Sequence, residues 1–421
     1  MAEPANTKFF PALTGIRAFA AITVFLTHAG YILAGNASPG IQRYFNELSI
    51  GLPMFFVLTG FLITIRYYDN FKFTVNWANK FMISRFARLY PMYLLFTIVA
   101  FVSYHFNHNP GIIGDPKHPW FTVFLNLTFL RAFFDDLKFT GVGQGWSITV
   151  DVLYYLITPF VFFFIQRKKI FWLQPLIFVS MAFLLVGAFS GFHFYGLFGN
   201  ITFVLYYTFF GRCLEIYMGM TLALNFNKIK FNPNRKIKVT YVGFILMFVC
   251  VYCFTLIPLA PGEKFAIKSN TGMILDTVFL SPAIVLLFFG LIREKTWLSN
   301  ILSSNFMQLL GNAAYMFYLI HLGFINNFLH ESMNTMNDWV FAFYDKHGLD
   351  WVSPFQYDQV NVFYVFIGIY ALSIFFYKFM EEPLNKHSRN FLFKKLIHFE
   401  PRPDKPAYQQ VADADYAKTD K

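Results

Sequence analysis

FPALTGIRAFAAITVFLTHAGYIL, residues Phe10–Leu33, holds no acid, and its only basic side chains are Arg17 and His28. A run of this length spans the hydrocarbon layer of a bilayer as a helix, for which about 20 residues suffice. Runs of the same kind recur at Ile50–Tyr68, Leu89–Phe106, Trp146–Ile165, Ile170–Phe189, Ile201–Leu224, Val239–Leu259, Thr271–Ile292, Phe306–Leu329 and Asn361–Phe379. The expected fold is therefore all-α, a polytopic integral membrane protein of about ten transmembrane helices. Composition agrees, with 56% apolar, 21% aromatic and 14% charged residues, against about 25% charged in a soluble domain.

The net charge of +11 does not point to nucleic acid, because the charges fall in loops beside the spans, where membrane topology puts them. Of the 34 Lys and Arg, seven (Arg43, Lys117, Arg131, Lys138, Lys264, Lys268 and Lys346) fall on one side. Arg17 and Arg212 lie within spans, and the rest fall on the other side. That bias places both termini in the cytoplasm of a multi-pass cell-membrane protein. Residues 1–9 read as a short cytoplasmic N-terminus without a removable signal, 10–380 as the membrane domain, and 381–421 as a cytoplasmic tail, disordered because it is too polar to build a core. The three cysteines lie inside apolar runs, so neither a disulfide nor a metal site is expected.

An ionisable group in a span is costly unless it faces a polar interior. Arg17 and His28, eleven residues apart, share one helix face at a separation of roughly 16 Å. A lone intramembrane His is more often a satisfied interior group; two basic groups on one face favour a lined cavity. Asp151 on the fourth span matches the depth of His28, and His321, one turn from Tyr318 on the ninth, falls in the same half of the membrane. Ser147 shares a face with Asp151 at i, i+4, although a helix start at the interface explains it equally. Arg212 and Glu215 at i, i+3 read as a functional or a structural pair. Arg85 and Arg88, just before the third span, suit bidentate phosphate binding at the inner mouth, with topological anchoring as the plainer explanation.

Leu13 to His28, with Arg17 and His28 eleven apart, closely resembles the opening of the acyltransferase 3 family of membrane O-acyltransferases. Gly51–Ile63, Arg85-Phe-Ala-Arg88-Leu-Tyr-Pro91, Trp146-Ser147 through Pro159, Arg212 through Gly219, Tyr315 through His321 and Glu382-Pro383 resemble later blocks in order. The chain has Asp151 where the family usually has Glu, which keeps the charge and shortens its reach. The resemblance implies an acyl-CoA donor, usually acetyl-CoA, and a carbohydrate or glycolipid acceptor. It also implies the lipid bilayer as the surroundings and partner proteins of glycan synthesis as expected company.

On this reading Arg85 and Arg88 hold the coenzyme A phosphates and Arg17 orients the thioester. His28 acts as general base or transient acyl carrier, and Asp151 supports it or the acceptor. Trp146, Ser147, Tyr318 and His321 are the expected acceptor-binding residues. The rival from another class is a transporter or channel whose intramembrane charges form a proton or anion path.

Overall fold

The computed structural model describes residues 9–34, 39–107, 110–232 and 235–397; the start and end of the two expected terminal segments lie outside them. Among the described residues, eight helices are long and apolar enough to cross a membrane. They match eight of the ten expected spans. The remaining two are interrupted: the sixth divides at Thr208 into Ile201–Tyr207 and Phe209–Asn225, and the ninth into Asn305–Asn312, Ala314–Ile320 and Phe324–Lys346. The chain forms two compact units, one of residues 62–213 with the chain from 375 onward, the other of residues 11–61 with 214–374.

In the second unit, the seventh span, Val239–Leu256, shows how apolar helices end inside the protein. A helix leaves its first N–H and last C=O groups without intrahelical partners. Here the Glu294 carboxylate accepts from the Val239 and Thr240 amides at 3.0 and 2.9 Å and from the Thr240 hydroxyl at 2.7 Å. At the other end Arg43 donates to the carbonyls of Phe254 and Ile257 at 3.2 and 2.9 Å. Anion at the N-terminus and cation at the C-terminus both match the helix dipole. Arg43 is paired one turn on with Glu47 at 3.1 Å, and Glu47, almost fully buried, accepts from the Ala266 amide at 2.9 Å.

In the first unit the third span is longer than hydropathy implies. It runs from Val75 to Asn107 through Pro91, about 50 Å at 1.5 Å per residue. Arg85 and Arg88 are thus part of the spanning helix, not of a preceding loop. At the other end of the sequence, the tenth span does not stop at Phe379. The span runs on through a π turn, Tyr377–Glu381, into the helix Glu382–Ile397, with Pro383 just after that turn. That helix packs along Val75–Asn107 and buries Phe393, so the stretch expected to open a disordered tail is helical as far as Ile397.

The segment between the third and fourth spans, opaque in sequence, is organised around Arg131, which is fully buried. Its guanidinium donates to Asn126 Oδ1 at 2.6 Å, to the Thr140 carbonyl and to the Val142 carbonyl at 2.5 Å. Gly145 has no side chain because a Cβ there would collide with that guanidinium. Farther out, Asp115 accepts from the Tyr195 hydroxyl, from His118 Nδ1 and from the Lys117 amide. These donors, Tyr195 foremost, hold its pKa down to about 2, so the contact is between a carboxylate and its donors throughout the physiological range.

The carboxylate cap of the seventh span gives a direct test. Glu294→Ala removes the acceptor of two amides and a hydroxyl and is expected to cost about 2 kcal/mol, with Glu294→Gln intermediate. Thermal unfolding in detergent measures it; coincident curves for the Ala variant and the parent would dismiss the cap.

Candidate active site

The first span, Pro11–Ala34, is mostly buried. Its exceptions sort by face: Pro11, Phe19, Ile22, Leu26 and Leu33 form one partly open apolar strip, while Arg17 is half-buried and His28 exposed. The two basic residues thus stand apart from the packed positions, as their spacing requires. The ring of His28 lies 5.4 Å from that of His321, centroid to centroid. Sequence depth alone suggested this meeting of imidazoles, and the fold makes it.

His321 arrives there because the ninth span stops. Ala314–Ile320 ends at His321, and the next helix begins at Phe324 after Gly323, at φ 84° and ψ −148°, a backbone conformation open essentially to glycine alone. A break in a spanning helix frees backbone polar groups that lipid cannot satisfy. The Asn326 amide supplies one partner, donating to the His321 carbonyl at 2.9 Å. The imidazole is held as firmly: Nδ1 lies 2.9 Å from the Tyr318 carbonyl. Since a carbonyl only accepts, Nδ1 carries the proton and Nε2 keeps its lone pair. The ring is parallel to that of Phe317, which packs against Phe25 of the first span and against Tyr370. The Tyr370 hydroxyl donates in turn to the Ala18 carbonyl at 3.3 Å. His321 is buried to 1% exposure, and its Nε2 has no hydrogen-bond partner among the described residues. Tyr318 is half-buried, its ring 5.5 Å from that of His321.

In the first unit, Arg85 is buried with its guanidinium 4.8 Å from the centre of the Tyr67 ring and 5.9 Å from that of Phe81. Tyr154 and Tyr155 of the fourth span are within its electrostatic reach. Arg66, which is exposed, and the half-buried Arg88 add their charges to the same neighbourhood, and Arg389 of the last helix reaches Tyr67. A guanidinium held on aromatic faces, as that of Arg85 is, is fixed in orientation while keeping donors for an anion.

Asp151 is half-buried on the fourth span, near Tyr154. It belongs to the first unit, while His28 belongs to the second. Ser147 is buried and donates to the Gln144 carbonyl at 3.2 Å. Trp146 is buried against Tyr207 and Tyr206, at 4.7 and 5.9 Å between ring centroids, and so packs the aromatic wall of its unit. Arg212, after the break at Thr208, donates from Nε to the Tyr206 carbonyl at 2.8 Å and lies over the Tyr206 ring.

Two groups escaped the sequence reading. Arg66 and Tyr67 end the second span, where a basic residue beside an aromatic one looks like an ordinary interface anchor. Asp276 is buried within the eighth span at a π-helical turn, Leu275–Leu280. The criterion that singles out Arg17 also singles out Asp276, and π turns frequently mark functional positions.

The fold and these interior clusters define a polytopic membrane protein with a polar, histidine- and arginine-bearing interior, the architecture of a membrane-embedded enzyme or carrier. The acyltransferase domain model matches residues 10–378, and the chain belongs to the acyltransferase 3 family. It is 26% identical over 337 residues to YrhL of Bacillus subtilis, whose name assigns it provisionally to peptidoglycan O-acetylation, covering 75% of this chain and 48% of the relative. It is 25% identical over 333 residues to the peptidoglycan O-acetyltransferase OatA of Listeria monocytogenes, covering 75% and 49%. It is also 23% identical over 177 residues to the acyltransferase MdmB of Streptomyces mycarofaciens, covering 40% and 44%. The chain spans about half the length of the curated relatives it matches. No solved structure matches it.

The backbone at Gly323 is what presents His321. Gly323→Ala is expected to destabilise the protein by about 1–3 kcal/mol, read as a lowered unfolding midpoint in detergent. An unchanged midpoint would separate the break from the glycine.

Proposed function

We propose that the chain is an O-acetyltransferase of the cell membrane, with both termini cytoplasmic. It moves an acetyl group from acetyl-CoA to a hydroxyl of a carbohydrate-containing acceptor, a cell-surface or exported glycan. The observation that carries this reading is the exposed His28 imidazole on an otherwise packed span, beside a second imidazole and within a family of acyltransferases. The relatives named for peptidoglycan O-acetylation support a glycan acceptor.

The chemistry asks little else. His28 takes the proton of the acceptor hydroxyl as its oxygen attacks the thioester carbonyl carbon; the carbon–sulfur bond breaks, and the proton passes to the leaving thiolate. The products are the acetyl ester and free coenzyme A. An imidazole serves both transfers at neutral pH. Arg85 and Arg88, with Arg66 beside them, hold the phosphates of the donor, and Arg17 orients the thioester. Asp151, Tyr318, Ser147 and Trp146 are assigned the acceptor side.

Protein purified into nanodiscs, given acetyl-CoA and a soluble glycan fragment, is expected to release coenzyme A and yield an acetylated glycan. Solute flux without coenzyme A release would make it a transporter instead. His28→Ala is expected to lower turnover by at least about a hundredfold with unchanged thermal stability, and Asp151→Asn to cost more than Asp151→Glu. Near-normal turnover in His28→Ala refutes the assignment. Arg85→Ala and Arg88→Ala are expected to raise KM for acetyl-CoA about tenfold or more while largely sparing kcat, because phosphate binding is a ground-state contact. A normal KM in the correctly inserted protein would leave these arginines a topological role.

A further inference from the structure

We infer that His321 is the positioning residue of His28: its unprotonated Nε2 receives an N–H of His28, selects the tautomer of that ring, and so leaves the second nitrogen of His28 bare for the acceptor hydroxyl. The inference rests on the proposed role of His28 and deepens it. Three observations carry it. The Tyr318 carbonyl, 2.9 Å from Nδ1, fixes the His321 proton on Nδ1, so Nε2 is an acceptor by elimination. That Nε2 is buried and has no partner among the described residues, an arrangement that proteins otherwise avoid for deeply buried polar atoms. A ring able to donate, that of His28, stands 5.4 Å away between centroids and tilted by 43°. At that spacing, facing nitrogens of two imidazoles come to about 3 Å when one ring turns. His28 is the ring with room to turn, being exposed, whereas His321 is clamped between the Tyr318 carbonyl and Phe317.

The tautomer matters because a neutral imidazole offers one lone pair. A base needs that lone pair on the nitrogen facing its substrate, and the open side of His28 does not choose between the two. His321 chooses. When His28 accepts the hydroxyl proton, the N–H already directed at His321 keeps its acceptor, so the charged ring is steadied by the same contact. The proton itself stays on His28 until the thiolate takes it.

Asn and Gln replacements separate this role from a purely structural one. The amide of Asn reaches the place of Nδ1 and restores the bond to the Tyr318 carbonyl; the amide of Gln reaches the place of Nε2 and restores an acceptor towards His28. Neither can carry a proton. In the acetyl-CoA assay, His321→Ala and His321→Asn are expected to lose about a hundredfold in kcat with little change in KM for the donor. His321→Gln is expected to regain at least tenfold of that loss, with equal unfolding midpoints for Asn and Gln. If Asn restores turnover and Gln does not, His321 serves only to hold the helix end, and the inference falls. If Gln is as inactive as Ala in a protein of normal stability, His321 is itself the base, which also overturns it. Failure of the underlying reading shows differently, as retained turnover in His28→Ala whatever occupies position 321.

Discussion

In a bilayer each backbone N–H and C=O must find a partner within the protein, because the lipid offers none. Regular helices meet that demand along their length and fail it at their ends and at any interruption. This chain places charged and amide side chains at just those points. Glu294 and Arg43 complete the two ends of the seventh span, Asn326 completes the break at His321, and Arg131 gathers two carbonyls of an irregular segment. A buried charge used this way trades hydration for several charge-assisted hydrogen bonds. That exchange explains why Glu47, Glu294 and Arg131 are buried in a chain so poor in charge.

The same demand locates the chemistry. An uninterrupted helix buries its polar backbone and shows only side chains, whereas a broken one exposes carbonyls that can orient a neighbouring group. The Tyr318 carbonyl, in the last turn before the break, fixes the His321 tautomer; no side chain is needed for that. Regular spans therefore serve as walls, with apolar and aromatic contacts such as Phe25 on Phe317, and the interruption serves as the place where an imidazole is held in a defined protonation pattern. Discontinuous helices at functional depth follow the same logic in other membrane proteins.

Much of this was legible in the sequence, and what was not has a physical reason. Span positions follow from bilayer thickness, a length that hydropathy reads directly, and the pairing of Arg17 with His28 on one face follows from helical period. The meeting of His28 and His321 was legible only as matched depth, since depth fixes one coordinate and packing the other two. Hydropathy averages over a window, so the divisions at Thr208 and at His321–Gly323 vanish inside runs that remain apolar. Arg43 was counted among the loop charges, because no local pattern shows that a residue will cap a helix two hundred positions away. Arg66 and Tyr67 were masked by the general habit of spans to end in basic and aromatic residues.

Two further irregularities extend the argument. The eighth span widens into a π turn at Leu275–Leu280 and the tenth into another at Tyr377–Glu381, and each holds a buried carboxylate, Asp276 and Glu381. A π turn inserts one residue, which rotates the following helix by about 100° and loosens the local hydrogen-bond ladder. The loosened carbonyl again finds a side chain: Ser281 Oγ donates to the Asp276 carbonyl at 3.1 Å. Glu381, and not the neighbouring exposed Glu382, is therefore the acid that the end of the tenth span takes inside. The deviations from regular helix in this protein recur where a polar side chain enters the interior, because a group that lipid will not solvate is most readily accommodated beside backbone that has lost its own partners.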